Sequence, residues 1–259
     1  MPTRSMGCTV AADLELQIWG VVGASGTGKG LWIKEQLKRL NPARLVIWDF
    51  KKEYEGWGPV TSSLRAVRAA MIKAGEGPLR IRYLTQAAKQ QDMQAEFQVL
   101  CELVYAFQHC VFLAEELANV TTPSWAPASW RKMTTSGRHE GIHIIGATQT
   151  PALVDKAFLG NCTLLHCCAL REANHRKAIA RSMDITEAEV AGLVKLQYIE
   201  KDFDTGDTAR GWVRIPGQKA TPGPKAAPPK AGGQTPSPRR AKRSVSGSQP
   251  PLRRAAPGR

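Results

Sequence analysis

No run of apolar residues in this 259-residue chain approaches the ~18 that a membrane-crossing helix needs. The N-terminus also lacks the basic-then-apolar pattern of a secretory signal, so a cytoplasmic protein without span or leader is expected. CxxC pairs are missing, and no Cys/His set has zinc-ligand spacing. The six cysteines, at positions 8, 101, 110, 162, 167 and 168, lie mostly inside apolar runs, which reads as buried, reduced thiols. Acidic and aromatic residues are both absent from Gly217 to Arg259, where ten Lys or Arg stand among Pro, Ala, Gly and Ser. Such a composition cannot bury enough apolar surface to offset chain entropy, so a disordered basic tail is expected. That tail carries most of the formal charge of +14, and no internal repeat is found.

What remains suffices for one sizeable core, with 42% hydrophobic residues overall. A lead-in over 1–16, a single globular domain over 17–216 and the tail over 217–259 are expected. Short apolar runs alternate with helical periodicity along the domain. Strands are read at Gln17 to Val22, Arg44 to Trp48, Leu79 to Leu84, Cys110 to Ala114, Ile142 to Gly146 and Cys162 to Cys168. Helices are read at Leu31 to Leu40, Ser62 to Ala74, Gln90 to Phe107, a short one after the loop Thr121 to Pro127, and Glu172 to about Met183. A hairpin, Tyr198 to Ile215 with its turn at Asp204 to Asp207, closes the domain. This rhythm implies an α/β fold with a mostly parallel sheet covered by helices on both faces and ligands at the carboxyl ends of the strands.

Between the first strand and the first helix stands Gly23-Ala24-Ser25-Gly26-Thr27-Gly28-Lys29, which matches GxxxxGK in the context that makes the pattern specific. Glycines let successive N–H groups converge on a phosphate, the helix directs its positive dipole end there, and the Lys29 ammonium bridges phosphate oxygens. The competing reading is a glycine-rich turn, which has no need of this register or of a lysine. Gly30 stands where a Ser or Thr usually supplies a hydroxyl to Mg²⁺, leaving that place to water or to Thr27.

The apolar strand Cys110 to Ala114 delivers Glu115 and Glu116 at its carboxyl end, a Walker B arrangement. Placed beside the phosphate-loop strand, Glu115 would hold Mg²⁺ and Glu116 would act as general base toward water. Taken alone, the two acids read equally well as an ordinary helix N-terminus.

Four stretches together resemble the HerA/FtsK superfamily of ring-forming, DNA-pumping ATPases, and within it the genome-packaging ATPases of membrane-containing icosahedral bacteriophages. They are Gly23 to Lys29; Val46 to Tyr54, similar to a strand ending in Asp-Pro-Lys-x-Glu-Tyr; the Glu115-Glu116 strand end; and Gly137 to Gln149. The resemblance covers about Gln17 to Arg214, departs at Gly30 and Glu115, and implies a RecA-like P-loop fold. It further implies ATP and Mg²⁺ as cofactors, Gln149 as the residue sensing the γ-phosphate or its attacking water, and a ring of identical subunits. An arginine completing the neighbouring subunit's site is also implied, with Arg138 the first candidate and Arg181 the second. Arg131 and Lys132 are candidates to face DNA. Double-stranded DNA and viral capsid or vertex proteins follow as partners, and host cytoplasm or virion as the location.

In the tail, Arg239, Arg240, Lys242 and Arg243 would neutralise phosphates regardless of base sequence. A solubilising tail and an anionic membrane surface are the other readings. From another class, a small-molecule or nucleotide kinase fits Lys29-Gly30, although no Arg-rich lid is recognisable; a HerA/FtsK-like pump for cellular DNA transfer is the alternative within the resemblance.

Overall fold

The computed structural model describes residues 16–215 and 217. The rest of the lead-in, Cys8 and the tail with Arg239, Arg240, Lys242 and Arg243 lie outside the described residues.

Strand β1 (Ile18–Val22) leads into α1 (Lys29–Leu40), followed by β2 (Arg44–Trp48), the two-residue β3 (Val60–Thr61) and α2 (Leu64–Ala74). Next come β4 (Leu79–Tyr83), α3 (Gln90–Phe107), β5 (Cys110–Ala114), α4 (Ala128–Ser136) and β6 (Ile142–Thr148). The chain then runs through α5 (Lys156–Asn161), β7 (Leu164–Cys168), α6 (Ala173–Met183) and α7 (Glu187–Ala191) to the hairpin β8 (Gln197–Asp202) and β9 (Thr208–Trp212). The expected alternation is present, with β3, α5 and α7 as additions. Cys162 and Thr163, expected in a strand, precede β7 because α5 ends only at Asn161.

The nine strands among the described residues form one sheet in the order β3-β4-β2-β5-β6-β1-β7-β8-β9. Pairs from β3 through β7 are parallel, and the hairpin adds two antiparallel pairs at one edge. Every residue of β2, β5 and β6 is buried, as continuous apolar runs in a sheet covered on both faces require. One order differs from expectation: β5 does not lie beside β1, because β6 is inserted between them and pairs with both. Strand order depends on long-range pairing, and the crossover from β5 to β6 is long enough to choose either side.

The two faces are covered unequally. On one, Trp48, Phe112 and Ile144 pack beneath α2, α3, α4, α5, α6 and α7 through residues such as Val67, Phe97, Trp130, Phe158, Ile179 and Val190. Phe97 and Trp130 lie in ring contact at 5.4 Å between centroids, and each such ring, fully buried, stabilises the fold by ~1.5–3 kcal/mol. On the other face Leu45, Ile47, Leu113 and Ile145 meet Trp32, Ile33 and Leu37 of α1. Cys101, Cys110, Cys162, Cys167 and Cys168 are buried free thiols, as expected.

No helix among the described residues is long and apolar enough to cross a membrane.

Candidate functional site

The loop from Gly23 to Gly28 is tied down at its base and open at its tip. Gly23 N–H donates to Thr148 O at the end of β6, and Ala24 N–H donates to Ala169 O just past β7. Thr27 turns back on the loop, its N–H and hydroxyl both donating to Ala24 O, and its own carbonyl accepts from Leu196 N–H. The Thr27 hydroxyl thus donates its hydrogen within the loop and keeps its oxygen lone pairs. Gly26 (φ 74°) and Gly28 (φ 122°) adopt backbone that side chains disfavour. Around Gly26 a Cβ would meet nothing within 4 Å, the open space a ligand needs, whereas Gly28 packs against Val213 and Leu196.

The first turn of α1 has no acidic residue and no side-chain cap, and Lys29, with its positive charge, is its first residue. A cation at the positive end of a helix dipole is unfavourable unless an anion sits there. The loop Gly23 to Gly30 thus presents a helix start and a lysine that together favour a nearby anion.

Lys29, 7% exposed, points across the sheet end to Glu115, its Nζ 3.6 Å from Glu115 Oε1. Tyr54 donates its hydroxyl to the same oxygen at 2.7 Å, while Glu115 Oε2 is buried without a partner. Burial raises the proton affinity of Glu115, against the opposing pull of Lys29 and the Tyr54 hydrogen bond. The Tyr54 hydroxyl is pushed well above the ordinary range for tyrosine by burial and by Glu115.

Glu116, two residues past β5, adopts a left-handed conformation (φ 51°, ψ 51°), a cost of roughly 1 kcal/mol or more for a non-glycine residue. Its Oε1 accepts from Lys51 Nζ at 2.8 Å and from Gln149 Nε2 at 2.6 Å. Gln149 follows β6, so the strand interposed between β5 and β1 brings its amide between the two acids and the phosphate loop.

The connection after β2 supplies the remaining parts. Asp49, fully buried, accepts from the N–H groups of Glu53 and Tyr54 and from Arg82 Nη1 at 2.9 Å. That clamp shapes the turn so that Lys51 reaches Glu116 and Tyr54 reaches Glu115. Sequence reasoning singled out Val46 to Tyr54 as a motif but gave no role to Lys51, Glu53, Tyr54 or Arg82. The signal was present as a buried-type Asp followed by Lys and Tyr at fixed spacing.

A divalent cation fits this constellation. The orphaned Glu115 Oε2 lacks a positive partner, and a cation between it and a bound phosphate would satisfy both. No group of three His, Cys, Asp or Glu among the described residues forms a metal cage by itself. Mg²⁺ in nucleotide sites draws most ligands from phosphate and water, so none is needed.

Arg138 stands apart. It is exposed in the 3-10 turn Gly137–Glu140 before β6, at the opposite end of that seven-residue strand from Gln149. The strand separates them by about 20 Å, beyond the reach of one side chain. Arg138 therefore cannot serve its own chain's loop, whereas a role in a neighbour's site requires such an outward position. Arg181 is exposed in the last turn of α6. On α4, Arg131 donates to Ser124 O and the Lys132 ammonium lies over the Tyr105 ring.

The sheet order, the loop and the strand-end acids define a RecA-like P-loop NTPase fold. The genome packaging NTPase B204 from Sulfolobus turreted icosahedral virus 2, solved in complex with AMPPCP, superimposes with a TM-score of 0.63 at 17% identity, covering 77% of this chain and 98% of that one. VirB4 of Thermoanaerobacter pseudethanolicus gives a TM-score of 0.56 at 14% identity, covering 79% and 89%. Among curated proteins, Protein P9 of Pseudoalteromonas phage PM2 is 29% identical over 191 residues, 70% of this chain and 84% of that protein. No protein-family model matches the chain.

Proposed function

We propose that this chain is an ATPase that works as a ring of identical subunits and drives double-stranded DNA into a preformed viral capsid. The observation that carries the reading is the convergence of Lys29, Glu115, Glu116 and Gln149 at the carboxyl ends of neighbouring strands, beside the open tip of the loop. Support for the viral role comes from similarity to a packaging NTPase and to a phage protein.

In this reading the loop N–H groups and Lys29 bind the β- and γ-phosphates of ATP. Gln149 and Lys51 hold Glu116 so that its carboxylate takes a proton from water as the water oxygen attacks the γ-phosphorus. The bond to the bridging oxygen breaks, and ADP leaves with that oxygen's electrons. Mg²⁺, when bound, supplies positive charge to the phosphate oxygens, with Glu115 as the protein group that holds it. Arg138 of an adjoining subunit neutralises charge as the phosphoryl group departs. The basic tail grips DNA phosphates without regard to sequence, with an anionic membrane as the other surface it would favour, and capsid or vertex proteins dock the ring.

Phosphate release with and without double-stranded DNA, at two salt concentrations, tests this reading in the full chain and in a chain ending at residue 216. DNA should stimulate release in the full chain, less at high salt, and the shortened chain should respond weakly. Release indifferent to DNA would contradict the motor, and phosphate passing to a small acceptor would make the protein a kinase.

A further inference from the structure

Gly30 leaves a specific gap, because a P-loop fold ordinarily has a Ser or Thr hydroxyl there, on the metal. A Cβ placed on Gly30 meets a single group within 4 Å, the Glu53 carboxylate, with Oε2 at 3.4 Å. The side chain that the loop lacks is thus replaced in space by one from the connection after β2.

Glu53 is held there by its backbone. Its N–H donates to Asp49 Oδ1 at 2.9 Å, and Asp49 is itself fixed by Arg82. The next residue, Tyr54, is anchored on Glu115, so the connection after β2 is tied to the end of β5 and carries Glu53 beside the start of α1. Glu53 is exposed, and its carboxylate makes no hydrogen bond or ion pair with another described residue. The Glu53 carboxylate beside the place of the missing hydroxyl, and the buried unpartnered oxygen of Glu115, both next to the phosphate loop, make an arrangement that a divalent cation would satisfy.

We propose that Glu53 supplies the protein oxygen that the missing hydroxyl at position 30 would have supplied, holding Mg²⁺ of the bound nucleotide opposite Glu115. The inference rests on the nucleotide-binding reading above. A Cβ at position 30 would make ordinary van der Waals contact with the Glu53 carboxylate, so the two positions are neighbours in space.

The test uses the full chain, a fluorescent ATP analogue and Mn²⁺ as the probe ion. Binding of the analogue in EDTA reports the phosphate loop alone, and Mn²⁺ titration of the analogue-loaded protein, followed by electron paramagnetic resonance, reports the metal site. Glu53→Gln should bind the analogue in EDTA as wild type does, yet bind Mn²⁺ about tenfold or more weakly. Gly30→Ser introduced into Glu53→Gln restores a hydroxyl at the ordinary place and should recover most of that loss. Unchanged Mn²⁺ affinity in Glu53→Gln, or a loss that Gly30→Ser does not recover, would overturn the assignment. Failure of wild type to bind the analogue even in EDTA would instead overturn the nucleotide-binding reading, and the assignment with it.

Discussion

The Lys51 ammonium lies 2.8 Å from Glu116 Oε1, so the residue proposed as general base is held by a cation from the connection after β2 as well as by Gln149. Removing Lys51 leaves Glu116 in place through Gln149 alone. Lys51→Met should lower kcat for ATP hydrolysis about tenfold, part of the ~10²–10⁴-fold that a positioned base contributes, with KM little changed. Steady-state kinetics check this, and an unchanged kcat would assign Lys51 to the surface alone.

Asp49 and Arg82 form a pair in which both side chains are nearly buried. Breaking it from one side strands a charge, so Arg82→Met should destabilise the fold by about 3–5 kcal/mol. Urea unfolding measures this directly. Arg82→Met combined with Asp49→Asn should cost less than Arg82→Met alone, because the stranded charge is then gone.

Stability should also depend on pH through Glu115. Burial raises its proton affinity in the folded state, so the folded chain binds the more protons between the ordinary carboxylate range, near ~4.3, and the raised value. Stability therefore falls as pH rises through that window and stays lower above it. Glu115→Gln removes the penalty and should melt higher than wild type at pH 8, with the difference closing toward pH 4. A lower melting temperature at pH 8 would contradict the sign.

Much of this site was legible in residue order. Gly23 to Lys29 between an apolar run and a helical one located the loop, and an apolar strand ending in Glu115-Glu116 located the acids. Strand adjacency was not legible, because nothing local in Cys110 to Ala114 says that β6 will pair between β5 and β1. Short elements escaped for a different reason. Neither β3, with two residues, nor α7, with five, carries a full period, and the capping box of Thr186 and Glu189 that starts α7 was not read from the sequence. Lys51 and Tyr54 gained meaning only once the Asp49 clamp and the left-handed turn at Glu116 were seen to aim them.

Arg138, too far from its own loop, offers a test that needs two chains. Arg138→Ala and Lys29→Ala should each abolish DNA-stimulated hydrolysis alone, and a mixture should recover part of it. Recovery comes from interfaces at which one subunit keeps Lys29 and its neighbour keeps Arg138. Absence of recovery, with mixed rings verified by native mass spectrometry, would remove Arg138 from the site.

The central claim is that ATP bound at Lys29 is cleaved by water with Glu116 as base, and single-turnover phosphate release from pre-bound ATP tests it most directly. Wild type should release phosphate, Lys29→Ala should fail to bind ATP, and Glu116→Gln should bind ATP but release phosphate at least ~10²-fold more slowly. Release by Glu116→Gln at the wild-type rate would contradict the account.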